Sequence, residues 1–158
     1  MILSSRPASG SGTHVDAYRS TGSSPGRSGR TRVAFTAELG ASVDTDVTWE
    51  VHGPAHAPVV VVLGGISAGS HLLPTGVDPT PGWWPGIVGR ARALDPDRVR
   101  LVGVDFLDLA SSPDGPPSTA DQARAVVAVL DDLGVPAATL VGASYGGMVA
   151  LALSLIHI

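Results

Sequence analysis

The chain has 158 residues, 44% of them hydrophobic, and a formal net charge of −4. That length and apolar share suit one globular domain with a real core. All ten basic residues are arginine and they form no run, which argues against nucleic acid as a partner; the absence of cysteine excludes disulfides, thiol catalysis and thiolate metal sites.

From Ser4 to Arg30 the chain is mostly Ser, Gly, Arg, Pro and Thr with no apolar period, a composition that is expected to hold no fixed structure. The opening "MILSSRPASG" lacks the charged start and long apolar run of a signal peptide. No segment reaches the roughly 18 uninterrupted apolar residues of a membrane helix, so a soluble protein without a membrane partner is expected, and the lack of cysteine fits a reducing cytoplasm, the expected location. "RVAFTAEL" and "DTDVTWEVHG" alternate apolar and polar residues around "LGAS", predicting an antiparallel hairpin at a sheet edge. "APVVVVLGG" is a continuous β-branched run, as in a strand buried on both faces at the centre of a parallel sheet.

"GWWPGIVGRARALD" reads as a helix or broken helix, weakened by Pro85, Gly86 and Gly89. "RVRLVGVDF" is a second buried strand and "SSPDGPPS" a loop. "STADQARAVVAVLDDLG" is the strongest helix: Ser118 or Thr119 can cap its start, Gly134 can end it, and Ala123, Val126, Val127 and Leu130 share a face. "AATLVGAS" is a third buried strand, followed by the helical "GGMVALAL". This alternation predicts an α/β fold with a parallel sheet and right-handed crossovers that put helices on both faces.

Gly142-Ala143-Ser144-Tyr145-Gly146 is a G-x-S-x-G string set between a strand and a helix. The sharp turn there lifts a serine oxygen above the carboxyl edge of the sheet, and the flanking glycines avoid clashes. Ser144 is thus the candidate nucleophile; a plain glycine-rich junction, such as a phosphate-binding turn, is the bland reading. The Tyr145 amide at the start of the following helix is one candidate oxyanion donor. The second is expected from the loop "LGGISAGSH", where Gly64 and Gly65 permit close backbone approach.

A base and an acid are harder to find. His14 lies in the tail, and His52 and His56 flank Pro54 in an expected loop. His71 would break the chain order Ser, Asp/Glu, His. His157 alone follows the serine, but thirteen helical residues at about 1.5 Å each put it roughly 20 Å away. No Asp or Glu follows Ser144; Asp105 and Asp108, near a strand's carboxyl end, read better as loop acceptors than as catalytic acids. "DDLG" and "DPDR" read as solvated turn charges rather than metal sites, and no dinucleotide fingerprint is present.

"VVVLGGISAG", "PGWWPGIVGRARALDPDRVRLVGVDFLD", "STADQARAVVAVLDDLGV" and "LVGASYGGMVALAL" together resemble the homoserine O-acyltransferases over about residues 32–153, the Gly-Trp-Trp element being the most specific. The resemblance implies an α/β-hydrolase fold and ping-pong transfer of an acyl group from acyl-CoA to homoserine or serine in methionine or cysteine biosynthesis. It implies no bound cofactor or metal, with acyl-CoA as co-substrate, and leaves a homodimer open for the full-length form. Residue by residue it implies Ser144 as nucleophile, with the Tyr145 and Ile66 amides as oxyanion donors. Many acetyltransferases of the family carry a His-Ala-Leu-Thr-Gly type loop where this chain has Gly64-Gly65-Ile66-Ser67-Ala68. The segment "FLDLASSPDGPPST" is also short. Both features resemble the members that transfer succinyl groups or accept serine, so acetyl and succinyl donors both stay open.

The resemblance further implies that the acid and the histidine belong beyond Ile158. "LSLIHI" breaks from the preceding composition. The expectation is therefore the N-terminal half of an α/β-hydrolase fold, truncated after the nucleophile elbow, from a protein about twice as long. That divides the chain into a tail over 1–30, an incomplete domain over 31–153 and a non-native tail over 154–158, inactive by itself because an unassisted serine hydroxyl is a weak nucleophile. The competing readings are an esterase of the same fold and a non-catalytic half-domain that acts through a partner.

Overall fold

The computed structural model describes residues 16–17, 26–108 and 115–156. Six strands form one sheet: β1 (Asp16–Ala17), β2 (Arg27–Thr36), β3 (Ser42–His52), β4 (Val59–Leu63), β5 (Arg100–Val104) and β6 (Thr139–Gly142). Helix α1 spans Thr119–Asp132 and α2 spans Tyr145–Ile156. The sheet order is β1-β2-β3-β5-β4-β6. β2, β3 and β5 pair antiparallel in turn, whereas β5, β4 and β6 run parallel. This is the expected antiparallel hairpin leading into a parallel sheet.

The hairpin begins earlier than its composition suggests. β2 starts at Arg27, inside the segment expected to lack structure, and β1 pairs with its first residues. Backbone pairing to the apolar half of β3 holds Arg27–Arg30 in place: Arg27 lies opposite Val51 and Gly29 opposite Trp49. The rest of 4–25 lies outside the described residues. At the other end, α2 runs on to Ile156, so Ser154–Ile156 continue the helix.

Alternation along the central strands makes two cores. Val59, Val61 and Leu63 of β4 face one side, with Trp49, Val102, Val104, Val126, Val129, Val149 and Leu153. Val60 and Val62 face the other, with Leu72, Val88 and Leu101. Both described helices pack on the first side and against each other. Helices on both faces are therefore not found among the described residues. The second face is covered instead by the irregular segment 64–99. The reason lies in "GWWPGIVGRARALD", which makes turns and no helix: after one turn closed by Ile87 and Val88 on the Trp84 carbonyl, Gly89 and Ala91 both take positive φ. Stacked Trp83 and Trp84, with centroids 5.1 Å apart, anchor this cover on the sheet.

Helix α1 ends as its sequence predicts. The Ser118 hydroxyl accepts from the Asp121 amide while the Asp121 carboxylate accepts from the Ser118 amide, a reciprocal cap. At the other end Gly134, at φ +64°, lets its own N–H reach the Asp131 carbonyl and that of Val135 reach Leu130. No helix among the described residues is long and apolar enough to cross a membrane.

Candidate active site

Ser144 follows the last residues of β6 and precedes the first residue of α2, exposed at the tip of the turn. Its φ of +53° is one of two positive values among described non-glycine residues. A left-handed backbone at a residue with a Cβ costs about 1–2 kcal/mol, and such strain persists only where the surroundings impose it. Here they are visible. The Ala143 N–H donates to the Leu63 carbonyl at 2.9 Å, and the Gly146 N–H donates to the Gly64 carbonyl at 2.8 Å. A Cβ on Gly146 would run into the carbonyls of Leu63 and Gly64, and one on Gly142 into the backbone of Gly146 and Gly147. Both glycines are thus required by close backbone approach, and the two hydrogen bonds lock the end of β4 to the serine turn.

That lock also places the loop after β4. Ile66 sits at its tip, 75% exposed, in a tight turn closed by the Ala68 N–H on the Gly65 carbonyl. Ile66 and Tyr145 line one open pocket of about 400 Å³, together with Asp105, Phe106, Asp108 and Gln122. The Tyr145 ring meets Phe106 edge-on at 5.1 Å. The structure therefore brings Ile66 and Tyr145 to one cavity, which Ser144 adjoins through Tyr145 without being among its lining residues.

The wall of that pocket is held by contacts the sequence did not announce. The Gln122 side chain accepts from the Leu107 N–H at 2.8 Å and donates to the Leu107 carbonyl at 2.9 Å. Asp105 accepts from the Ser70 N–H, so it is a loop acceptor as expected and anchors the far end of the Ile66 loop. Asp108 is exposed at the pocket rim.

None of the described histidines is brought to Ser144 by a hydrogen bond or shared cavity. His56 is exposed in a turn, and His14 and His157 lie outside the described residues. His52 is not in a loop: it closes β3 and is 3% exposed, because residues 50 and 52 share a strand face that the 70–84 segment covers. There it joins Glu50 and His71. His52 Nε2 lies 3.1 Å from Glu50 Oε2 and His71 Nδ1 lies 3.0 Å from Glu50 Oε1, while the Leu72 N–H donates to Oε2 at 3.3 Å. Burial pushes the Glu50 carboxyl up, but the bonds from the two histidines outweigh it and hold the pKa below its ordinary 4.5. Burial pushes His71 down, yet bonds to Glu50 and the Thr80 carbonyl and the nearby charges of Glu50 and Asp78 leave it above 6.5. Glu50 and His52, two residues apart on one strand, were the available sequence signal for this buried polar cluster. Although Glu50, His52 and His71 meet, no group of three or more His, Asp or Glu among the described residues is arranged to hold a metal ion.

A parallel-sheet core whose nucleophile-type serine sits on a strained strand-to-helix turn defines a class. The chain belongs to the alpha/beta hydrolase fold family, which its residues 58–157 match. Within it, the chain is similar to the homoserine O-succinyltransferase of Xanthomonas campestris pv. campestris, 50% identical over 104 residues, 65% of this chain and 28% of that protein. It is also similar to the serine O-succinyltransferase of Stenotrophomonas maltophilia, 32% identical over 128 residues, 70% of this chain and 35% of that protein. Among solved structures, the homoserine O-acetyltransferase of Bacillus anthracis superposes with a TM-score of 0.69 at 21% identity, over 82% of this chain and 43% of that one. The chain thus spans about a third of the length of the curated relatives it matches.

Proposed function

We propose that these residues form the nucleophile-bearing part of an acyl-CoA-dependent O-acyltransferase that acts on homoserine or serine. The observation that carries the reading is Ser144, held at positive φ on a turn locked to the loop of Ile66. The 50% identity to a homoserine O-succinyltransferase supports the substrate class and favours succinyl over acetyl as the donor group.

In this reading Ser144 Oγ attacks the thioester carbonyl, the oxyanion forms opposite the Tyr145 and Ile66 amides, and coenzyme A leaves as the thiol. The acceptor hydroxyl then attacks the acyl-serine and regenerates Ser144. Donors fixed in place before charge develops are worth about 3–4 kcal/mol each. The proton transfers need a histidine and a carboxylate, which this reading assigns to residues outside these 158. Transfer outruns hydrolysis when water is excluded and the acceptor is well aligned. No resident cofactor enters the reaction. A cytoplasmic place in methionine or cysteine biosynthesis follows from the same reading, and a homodimer is its natural assembly to test.

The test uses the complete reading frame that contains these residues. Release of coenzyme A from succinyl-CoA or acetyl-CoA is measured with and without L-homoserine and L-serine. Acceptor-dependent release that disappears in Ser144→Ala is expected. Release that ignores the acceptor would instead identify a thioesterase or esterase of the same fold.

A further inference from the structure

The Ile66 loop is held at two ends. At one, the Gly64 carbonyl accepts from Gly146. At the other, three consecutive residues are pinned to carboxylates: Ser70 to Asp105, then His71 and Leu72 to Glu50. Glu50 lies opposite Gly103 in the sheet, and a Cβ on Gly103 would strike the Ser70 carbonyl, so residues 70–72 lie directly on the strands here.

The ring of His71 is placed in a way that constrains its protons. Nδ1 faces Glu50 Oε1 at 3.0 Å, and Nε2 faces the Thr80 carbonyl at 2.9 Å, with Asp78 Oδ2 at 3.8 Å. A carbonyl oxygen accepts only, and so does an ionised carboxylate. A neutral imidazole carries one N–H, so either tautomer leaves a nitrogen lone pair pointing at an oxygen. Both bonds form together only when both nitrogens are protonated. The groups facing this ring are Glu50 from β3, Asp78 and the Thr80 carbonyl from the covering segment; His52 shares Glu50, and Asp105 stands beyond Ser70.

We infer that His71 is a positioning residue for the loop that carries Ile66, and that it latches that loop to the sheet as a doubly protonated imidazolium. Its value to catalysis rests on the reading of Ile66 as an oxyanion donor; the latch itself does not. Loss of one proton releases either Glu50 or the Thr80 carbonyl, loosening the stretch that fixes the far end of the loop.

The isotope-labelled complete protein that contains these residues tests this by NMR. Both His71 ring nitrogens are expected to be protonated below pH 6.5, as their two acceptors require, with the midpoint raised above that value. Glu50→Gln is expected to return that midpoint to 6.5 or lower. As the pH passes the wild-type midpoint, exchange protection of the Leu72 and Thr75 amides should fall several-fold while Val61 and Val102 in the central strands hold steady. In His71→Gln that pH step should vanish, whereas a purely structural role would lower protection equally at every pH. Should His71→Gln not fold, the wild-type titration decides alone. A single neutral tautomer below pH 6.5, or protection unchanged across the midpoint, overturns the inference. Neither readout involves acyl transfer, so this result and the one on activity stand or fall separately.

Discussion

The two ends of the sheet are built on different principles. At one end β2 and β3 pair over ten residues, in a register set by the turn at 37–41 and by the alternation that buries Val33, Val43, Val47 and Trp49. Trp49 is fully buried there, Arg27 lies over its ring at 5.5 Å, and Thr31 accepts from its indole N–H. At the other end β6 has four residues and pairs along one side with β4 among the described residues. Yet that short strand carries the chemically loaded turn. Its precision comes from glycine-permitted contact with the end of β4 rather than from extent. A fault in the hairpin's backbone pairing is spread over its many pairs, whereas a turn set by two hydrogen bonds and two absent side chains has no such reserve.

Substitutions at each end test this contrast. Trp49→Ala should be the most costly, about 3–5 kcal/mol by denaturant unfolding, since it empties a large core site and removes the indole donor to Thr31, which keeps only its bond to Asp132. Gly146→Ala adds one carbon but places it against two backbone carbonyls, and about 3 kcal/mol is expected. A loss below about 0.5 kcal/mol by that variant would show the elbow to be far more pliant than its contacts indicate.

The Glu50–His71 pair gives the next effect, read from stability against pH. Glu50 titrates below its ordinary 4.5, so its contribution is complete above that pH and is lost as the pH falls through the lowered value. His71 titrates above 6.5, so its contribution is complete below 6.5 and is lost as the pH rises through the raised value. Stability from this pair should therefore peak between 4.5 and 6.5, and Glu50→Gln should flatten the peak.

Ser118→Ala removes the reciprocal cap of α1 and should cost about 1 kcal/mol, seen as a lower thermal midpoint. Smallest, and of opposite sign, is Ser144→Gly. Relief of the strained φ, partly offset by glycine's greater freedom when unfolded, should stabilise the chain by up to about 1 kcal/mol. A destabilised Ser144→Gly would mean the serine side chain makes contacts that outweigh its backbone strain.

Legibility in the sequence followed the range of the forces involved. The central strands, the caps of α1 and the serine turn were readable because each depends on neighbours a few residues away: unbroken β-branched runs, Ser118 and Gly134 at the helix ends, Gly142 with Gly146. The start of β2 was not, since Arg27–Arg30 look like tail and become strand only by pairing with residues 48–51. Nor was the helix-free cover over 64–99, where positive φ at Gly89 and Ala91 decides against a helix. At the site, motif and resemblance pointed to Ser144, Tyr145 and Ile66, and the structure places them on the serine turn and the loop locked to it. Gln122 was not, because its two bonds to Leu107 depend on how α1 crosses the end of β5. His52 was misread as loop for the same reason: only the covering segment turns the end of β3 into interior.

The Thr31 hydroxyl closes a chain of contacts that also sets a timetable. It accepts from the Trp49 indole and donates to Asp132 Oδ2 at 2.7 Å, a partner 101 residues further on. At synthesis rates of about 5–20 residues per second, that partner is made roughly 5–20 s after Thr31. The hairpin can pair as soon as it leaves the ribosome, but its polar seam stays unfinished until the last turn of α1 arrives.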